Sequence, residues 1–371
     1  MKILVDKNKI NIALVGCGKI CYRHISAIIK LKDSICLKAI CDINQKNIDE
    51  VSEFIKNSLP STNLTYKPVA SFLNYYELLA EVEKGNLDVK IVVLCTPSGY
   101  HVKQAISASN IGLNVITEKP LATSLDDGIK VLNSFNNSDK KLFVVFQNRL
   151  NPIVKLLKKQ IMKKRFGELF LINSNIFWHR PQQYYDQCSW RGTKKLDGGA
   201  LLNQASHYID LMYYLPSLKI KKVNAFTKTL NRDIEMEDTA VMNLEYENGA
   251  LGNLSVTMLT FPKNYEGSIT IFGEKGTVRI GGNALNKIEK WEFDQYDNDD
   301  NLIDFKNNEV NTIFGSGHVY FYEEIIRFFK NKKENLFNPK DAFHGLEVIM
   351  AAYKSSIENR TLCLPLKDYK I

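Results

Sequence analysis

Residues 11–20 read NIALVGCGKI and decide the fold of the first half of the chain. An apolar run stops at Gly16-Cys17-Gly18, and helical periodicity begins at Ile20. Strand, glycine turn and helix in this order are typical of a dinucleotide-binding βαβ unit. There the first glycine allows the tight turn, and the second lets the backbone approach a pyrophosphate at the helix N-terminus. The stretch therefore predicts a nucleotide-binding turn.

A second apolar strand is predicted at residues 35–41, and Asp42 follows it, 24 positions (42 − 18) after Gly18. A carboxylate at this place can accept hydrogen bonds from ribose hydroxyls, and it would repel a 2′-phosphate. The sequence therefore predicts NAD as the cofactor and disfavours NADP. Cys21 stands at the third fingerprint position, where glycine or alanine is commoner, so we expect helix and strand to lie slightly further apart.

The alternation of apolar strands and amphipathic helices continues through residue 148, which predicts an α/β fold with a Rossmann domain over residues 1–148. Open sheets of this kind bind ligands in the crevice at the carboxyl ends of their strands. We therefore expect the residues that follow the predicted strands to line one crevice. The strands at 89–95, 114–117 and 141–146 are followed by Thr96, Glu118 and Gln147.

Lys119 follows Glu118 at the tip of a buried strand and precedes Pro120, whose ring restricts the turn. A lysine held in this way would lie in the crevice and not sweep through solvent. The sequence therefore predicts that Lys119 is a residue of the crevice, with an ordinary surface lysine as the alternative.

Composition limits the possible functions. At 371 residues the chain exceeds the size at which single cores stop growing, so two domains are expected. The net charge of +8 is dispersed and forms no basic block, so we expect no nucleic-acid partner, whereas an anionic small molecule fits.

No apolar run is long enough for a membrane span and no export signal precedes the first strand, so a soluble, cytoplasmic protein without a membrane partner is expected. Seven scattered cysteines lack metal-ligand spacing, so we expect no metal site.

Residues 149–371 predict an α+β domain with an open, largely antiparallel sheet, for substrate binding and oligomerisation. Strands are expected at 169–178, 223–229, 240–246, 251–259, 268–272 and 277–280, with helices from 151, at 319–329 and at 342–357.

Two segments of this half carry candidate site residues. Residues 196–210, LDGGALLNQASHYID, predict a helix with Asn203 and His207 four positions apart on one face; a capped helix with a structural histidine is the alternative. Residues 177–191 are rich in groups that stack on rings and pair with anions, although aromatic packing alone could explain them. These groups are Trp178, His179, Arg180, Tyr184, Tyr185, Trp190 and Arg191.

The motifs ALVGCGKI, CD, TPSGYH, TEKPLA and NQASH together resemble the Gfo/Idh/MocA oxidoreductase family over nearly the whole chain. Longer segments, such as FWHRPQQYYDQCSWRGTKKLDGGALLNQASHYIDL and EGSITIFGEKGTVRIGG, are similar to its UDP-N-acetylglucosaminuronate 3-dehydrogenases. The resemblance implies NAD-dependent oxidation of the C3 hydroxyl of this UDP-sugar to the 3-keto sugar, in the biosynthesis of a diacetamido-uronic acid for bacterial surface polysaccharide. It also implies a homodimer or homotetramer, and a hand-off of the product to a PLP-dependent aminotransferase.

The resemblance places catalytic roles on Lys119, His207 and Asn203. Asn203 stands where the wider family has aspartate and offers an imidazolium no countercharge, so we expect His207 and Lys119 to share the proton handling. Cofactor contacts are expected from Gly16, Gly18, Lys19, Ile20, Asp42, Thr96, Pro97, His101, Glu118, Lys119 and Gln147. Substrate contacts are expected from Lys119, Arg149, Arg180, Tyr184, Trp190, Arg191, Asn203, Gln204 and His207.

Two other functions stay open. One is an NAD-dependent dehydrogenase of another sugar or of a free polyol such as inositol, which would have little need of Arg180 and Arg191. The other is a catalytically silent NAD-binding sensor, which would have no need of Lys119 or His207.

Overall fold

The structure is a computed structural model that describes residues 9–58, 69–282, 285–302, 317–331 and 336–367. Residues 1–8, on which the expected absence of an export signal rests, lie outside the described residues. The chain divides into two units. The first unit is drawn from Met1–Leu121, Ile129–Val145 and His318–Pro339, and the second from Ala122–Gly128, Phe146–Gly317 and Lys340–Ile371.

The first unit contains a six-stranded sheet in the order β3-β2-β1-β4-β5-β6, with every pair parallel. The strands β4 and β5 are buried along their whole length, which explains their unbroken apolar sequence. The elements up to residue 145 are β1 (Ile10–Val15), α1 (Cys21–Lys30), β2 (Ile35–Cys41), α2 (Gln45–Ser58), β3 (Ala70–Phe72), α3 (Tyr75–Glu83), β4 (Ile91–Leu94), α4 (His101–Asn110), β5 (Asn114–Thr117), α5 (Leu125–Asn136) and β6 (Leu142–Val144).

The second unit is built on an eight-stranded sheet in the order β13-β12-β11-β7-β10-β9-β8-β14. Among its described pairs β7 and β10 run parallel and the others antiparallel. The remaining elements of the chain are α6 (Pro152–Met162), β7 (Leu169–Phe177), α7 (Gln182–Asp186), α8 (Ser206–Tyr214), β8 (Ile220–Lys228), β9 (Thr239–Tyr246), β10 (Leu251–Thr257), β11 (Glu266–Gly273), β12 (Gly276–Gly281), β13 (Lys287–Phe293), α9 (Gly317–Asn331), α10 (Pro339–Glu358) and β14 (Leu362–Cys363). The predicted fold class is confirmed.

Helix α8 rests on one face of this second sheet. Along β9 the side chains of Ala240, Met242, Leu244 and Tyr246 are buried, whereas the residues between them are more exposed. The hydroxyl of Tyr246 donates a hydrogen bond of 3.0 Å to the carbonyl oxygen of Met212 in α8. The sheet therefore supports the helix that carries His207.

Helix α9 changes the expected division of the chain. We expected all residues after 148 to form the second domain, but from His318 onward α9 belongs to the first unit. There the rings of Phe328 and Phe329 pack on Phe143 at centroid distances of 5.3 and 6.0 Å. The reason is aromatic packing over a long sequence separation, which local periodicity does not reveal.

A search of the described helices found none with the length and apolar character that a membrane crossing requires.

Candidate active site

The turn between β1 and α1 has the form that a dinucleotide requires. Gly16 has a φ of +95°, and a Cβ atom there would lie 2.6 Å from the backbone carbon and oxygen of Cys95. Gly18 is exposed, and a Cβ atom there would meet nothing within 4 Å. Among the described residues, no side chain caps the N-terminus of α1, so its backbone amides can face an anion. The exposed Lys19 adds a positive charge to this turn, which Ile20 completes.

Asp42 joins the end of β2 to the glycine turn. Its Oδ2 accepts a hydrogen bond of 2.7 Å from the backbone N–H of Cys17, and its Oδ1 accepts one of 2.9 Å from the N–H of Asn44. The side-chain amide of Asn47 donates a third bond of 3.2 Å to Oδ1. Since a carboxylate offers about four acceptor positions, Asp42 keeps capacity for a ribose hydroxyl.

Replacing Asp42 by alanine is expected to weaken NADH binding and to reduce the preference for NADH over NADPH about 10- to 100-fold. A hydrogen bond to a charged group contributes about 1.5–3 kcal/mol, and the variant also lacks the charge that repels a 2′-phosphate. Fluorescence titration with both nucleotides measures the ratio. Asn47→Ala is the matched control because it removes only a neighbour of the carboxylate. An unchanged ratio in Asp42→Ala would contradict the assignment.

His101 ties together the segments that follow β4 and β5. It is 1% exposed, its Nε2 lies 2.9 Å from the carbonyl oxygen of Thr96, and its Nδ1 lies 3.0 Å from the carbonyl oxygen of Pro120. Burial lowers the pKa of His101, while the two carbonyl contacts act in the opposite direction. Its predicted cofactor contact is therefore corrected: the ring nitrogens serve the backbone of both turns. Thr96 and Pro97 remain partly exposed beside it, and the Thr96 hydroxyl donates to Gln104.

Glu118 requires a second correction. Its side chain is turned into the first unit, where Oε1 lies 2.9 Å from Nε2 of His24 and 3.4 Å from Nε2 of His318. The expected cofactor contact through this carboxylate therefore does not match its orientation. Lys119, the next residue, is partly exposed.

In the second unit the predicted helix of Asn203 and His207 has two parts. Residues Ala200–Gln204 form a π-helical turn, and α8 follows from Ser206. Such turns are rare and occur frequently at functional sites. Asn203 donates its Nδ2 proton to the carboxylate of Asp197, which is 2% exposed and also accepts a bond of 2.7 Å from the N–H of Gly192. The carboxyl group that Asn203 lacks is thus present on the residue it contacts.

His207 lies next to the segment that follows β6. Its Nε2 is 3.5 Å from Nε2 of Gln147, and its ring packs edge-on against Phe146 with centroids 5.8 Å apart. If the Gln147 amide donates, the ring nitrogen accepts and the imidazole is neutral, which is the form a general base needs. Oε1 of Gln147 is buried and has no hydrogen-bond partner among the described residues. Gln204, another predicted substrate residue, is 7% exposed in the π-helical turn.

Two arginines and an aromatic ring form a cationic cluster in the second unit. The guanidinium carbon of Arg180 lies 5.4 Å from the ring centroid of Tyr184, and that of Arg191 lies 4.4 Å from it. Arg180 also stacks on Trp178 at 5.1 Å, and Arg191 on Trp190 at 5.5 Å. Within the described parts of the chain, neither guanidinium forms an ion pair with a carboxylate. The cluster can therefore offer both positive charge and aromatic faces.

The expectation that Arg149 binds substrate is corrected by its contacts. The guanidinium is 1% exposed and pairs with Asp210 through Nε (2.8 Å) and Nη2 (2.5 Å), and with Asp341 through Nη1 (2.9 Å). Although burial disfavours the charged form, these two carboxylates keep the pKa of Arg149 above its usual value. The side chain therefore joins α8 to α10. Sequence reading missed this because its partners lie 61 and 192 positions away.

Glu237 is a residue of this region that the sequence analysis did not identify. Its Oε1 accepts bonds from the N–H of Leu201 (2.8 Å) and the hydroxyl of Tyr353 (3.1 Å), and its carbonyl accepts one from Ala200 (2.9 Å). A Cβ atom on Gly199 would lie 1.9 Å from Oε2, so the carboxyl group needs this glycine. Glu237 therefore caps the π-helical turn, and the acidic pair before β9 was the only trace of it in the sequence.

Glu237→Gln is expected to be more stable than the unmodified protein at pH 8, by about 3 kcal/mol. Burial raises the pKa of Glu237 to about 7 from its usual 4.5. The folded protein therefore binds this proton more tightly than the unfolded chain, and stability falls as the pH rises from about 4.5 to 7 and is lowest above that range. Denaturant unfolding at pH 5 and 8 measures the difference, with exposed Glu292→Gln as control. If the stability gain of Glu237→Gln over the unmodified protein were no larger at pH 8 than at pH 5, the raised pKa of Glu237 would be refuted.

Sequence models of one oxidoreductase family match both halves of the chain. The model described as "Oxidoreductase family, NAD-binding Rossmann fold" matches residues 10–146, and the one described as "Oxidoreductase family, C-terminal alpha/beta domain" matches residues 158–364. The chain belongs to the Gfo/Idh/MocA oxidoreductase family. The family predicted from the sequence motifs is thereby confirmed.

Two solved dehydrogenase structures are similar to this chain over nearly its whole length. The WlbA dehydrogenase of Bordetella pertussis, in complex with NADH and UDP-GlcNAcA, is 39% identical, with a TM-score of 0.90 and coverage of 97% of this chain and 99% of that one. The WlbA dehydrogenase of Chromobacterium violaceum, with the same two ligands, is 40% identical, with a TM-score of 0.88 and 98% coverage of both chains.

More distant Gfo/Idh/MocA relatives act on other compounds. The myo-inositol 2-dehydrogenase of Thermotoga maritima is 24% identical and covers 95% of this chain and 98% of its own length. The match to levoglucosan dehydrogenase of Pseudarthrobacter phenanthrenivorans, 25% identical, spans 52% of this chain and about half, 55%, of that protein. Family membership alone therefore leaves the substrate open.

Proposed function

We propose that this protein oxidises the C3 hydroxyl of UDP-N-acetylglucosaminuronic acid to a 3-keto sugar, with NAD⁺ as the oxidant, in the cytoplasm. The observation that carries the proposal is the full-length similarity, near 40% identity, to two WlbA dehydrogenases seen with NADH and UDP-GlcNAcA. The next step for such a product is transfer of an amino group to the new ketone, which we assign to a PLP-dependent aminotransferase.

The residues of the first unit fit a bound NAD. Gly16 and Gly18 leave room for close approach to the backbone, and Asp42 retains acceptor capacity. When bound, NAD⁺ supplies the acceptor for the hydride from C3. Oxidation also releases the hydroxyl proton, and a positioned base contributes about 10²–10⁴ to the rate. We assign proton handling to Lys119 and His207, and the orienting of His207 or of the substrate to Asn203.

The cationic cluster of Arg180, Tyr184 and Arg191 suits the charges of the proposed substrate. A UDP-uronic acid carries a diphosphate and a carboxylate, which a guanidinium can bind with two parallel hydrogen bonds, and a ring that can stack on an aromatic face. A neutral polyol has neither anion. This cluster therefore favours the nucleotide sugar over an inositol-like substrate.

The proposed homodimer or homotetramer is supported by the outer face of the second sheet. Phe226, Val241 and Leu251 are 62%, 42% and 56% exposed there, beside polar Asn243. Phe226 and Val241 are register partners on adjacent strands, and neighbouring exposed apolar side chains can mark an interaction surface. Light scattering of the purified protein tests this proposal.

One assay tests the function. Purified protein and NAD⁺ are mixed with UDP-N-acetylglucosaminuronate, UDP-N-acetylglucosamine or myo-inositol, and NADH absorbance is followed. A 2-oxo acid and the aminotransferase are added in parallel, because NADH could be reoxidised in place. We expect NADH or amino-sugar formation only with the first compound. Absence of both products, with or without these additions, would refute the proposal.

A further inference from the structure

Four polar side chains form a buried network within the first unit, and one of them, Glu118, precedes Lys119 in the chain. They are His24 from α1, Glu118 after β5, and His318 and Tyr322 from α9. His24 and Tyr322 are fully buried, and His318 and Glu118 are 4% and 7% exposed. Nδ1 of His24 lies 2.8 Å from the Tyr322 hydroxyl, and Nε2 of both histidines lies within hydrogen-bond distance of Oε1 of Glu118. None of the predicted roles uses this network as a whole.

One arrangement of protons satisfies every one of these contacts. The Tyr322 hydroxyl donates to Nδ1 of His24, and the Nε2 protons of His24 and His318 both donate to the Glu118 carboxylate. Burial alone would raise the pKa of Glu118, but the bonds from the two imidazoles outweigh it and hold that pKa well below its usual value. Burial lowers the pKa of His24, which keeps its ring neutral. The network therefore holds an ionised Glu118 carboxylate against a neutral His24 ring.

Both chain neighbours of Lys119 are fixed by this part of the first unit. On one side the Glu118 side chain is held by the network, and its backbone N–H donates a bond of 2.9 Å to Leu94 in β4. On the other side the Pro120 carbonyl is held by His101. Lys119 is thus the partly exposed residue between two anchored ones. Side chains locked by hydrogen bonds to a supporting layer are what keeps a reactive group within about 0.5 Å of its productive place.

We propose that His24, His318 and Tyr322 are positioning residues for the dehydrogenase reaction, which hold Glu118 and thereby fix where the Lys119 side chain leaves the end of β5. This inference rests on the proposed function for the role of Lys119 in the reaction. The His24–Glu118 contact also connects α1, whose N-terminus follows the nucleotide-binding turn, to the segment that carries Lys119. His24, His318, Tyr322 and Glu118 therefore act through Lys119, and none of them needs to touch substrate.

The same atoms could be read as a metal site. Nε2 of His24, Nε2 of His318 and a Glu118 oxygen all lie within 4.8 Å of one another, and two histidines with one carboxylate are a known zinc ligand set. The contacts favour hydrogen bonding, because the His24–Glu118 distance of 2.9 Å and the Tyr322 contact complete a proton chain that needs no ion. Elemental analysis of the purified protein decides between the two. An equimolar metal that is lost in His24→Asn would overturn the proposal.

The first test measures the chemical reactivity of the Lys119 amine in the absence of substrate. Lysines of the protein are acylated with a limiting reagent, and the rate at each lysine is measured by peptide mass spectrometry. In Glu118→Gln and Tyr322→Phe we expect Lys119 to react at least about threefold faster, because its backbone is held less firmly and, in Glu118→Gln, because a neighbouring negative charge is lost. The exposed Lys103 is the internal reference. Unchanged Lys119 reactivity in both variants would overturn the proposal.

The second test measures the steady-state kinetics of the dehydrogenase reaction. We expect Glu118→Gln and His318→Asn to lower kcat about 10-fold or more while the KM for NAD⁺ changes less than about twofold. In a Lys119→Met background the same changes should cause no further loss, because they act through Lys119. Glu347→Gln is the matched control, since Glu347 is also buried and, among the described residues, accepts a single hydrogen bond, from the Leu366 backbone. Equal losses with and without Lys119 would show a merely structural role.

Among these variants Tyr322→Phe changes the packing least, because it removes one hydroxyl and keeps the ring. It therefore tests the network even if the other variants misfold. The two experiments also separate the two proposals. If the unmodified protein is inactive towards the nucleotide sugar, the proposed function fails, while the acylation experiment still decides whether the network positions Lys119.

Discussion

Lys119→Met and His207→Asn are each expected to slow NADH formation in a single turnover by about 10²–10⁴, while NADH binding to His207→Asn stays within about twofold. Each variant removes a group to which we assign the hydroxyl proton, and neither removes a part of the glycine turn. Stopped-flow absorbance after mixing the enzyme–NAD⁺ complex with the nucleotide sugar measures the rate. The larger loss identifies the group that accepts the proton.

Matched controls exist for both variants. Lys103→Met replaces an exposed lysine on α4, and His344→Asn replaces a histidine on α10, to which no role in the reaction is assigned. We expect both controls to react at nearly the unmodified rate. If Lys119→Met or His207→Asn did the same, that residue would have no part in the chemistry.

Gly16→Ala is expected to lose both stability, by about 2–4 kcal/mol, and nearly all NADH binding. The residue has a φ of +95°, and a Cβ atom would lie 2.6 Å from backbone atoms of Cys95 and 2.8 Å from the backbone nitrogen of Thr96. Backbone atoms of a buried strand end cannot move aside as a flexible side chain can. Denaturant unfolding and fluorescence titration with NADH measure the two losses.

Two other glycines separate the causes of this effect. Gly85→Ala introduces a side chain at a φ of +78° with nothing within 4 Å, so it should cost about 1–2 kcal/mol and leave NADH binding intact. Gly18→Ala also meets nothing within 4 Å, so it should keep the stability but weaken NADH binding, because the new methyl group occupies the approach of the pyrophosphate. A stable Gly16→Ala that binds NADH normally would contradict the predicted clash.

The fold was predictable from the sequence wherever the determining interactions are local. The glycines of the first turn and the burial pattern of β4 and β9 depend on neighbouring residues or on a short period, and both domain types follow from them. The assignment of α9 to the first unit was not predictable. It depends on Phe328 and Phe329 meeting Phe143, and periodicity reveals only that a face is apolar, not what covers it.

The candidate site also divides into residues that local sequence predicts and residues whose roles depend on distant partners. Asn203 and His207 were predicted as site residues from their spacing, and the segment around Arg180 and Arg191 from its composition. The inward orientation of Glu118 and the ion pairs of Arg149 were not found, because each depends on side chains far away in the sequence. A charged residue in a motif is equally compatible with binding a ligand and with holding the residue that does. Only the positions of its partners distinguish the two.

Helix α9 also determines the order in which the protein can be completed on the ribosome. Phe143 and His24 are synthesised early, but their partners Phe328, Phe329 and Tyr322 leave the exit tunnel only after most of the second unit. The nascent nucleotide-binding unit therefore exposes an unfinished aromatic core while the second unit forms. A fragment ending near residue 148 lacks this helix and is expected to aggregate. We therefore expect that the cofactor-binding half does not fold on its own.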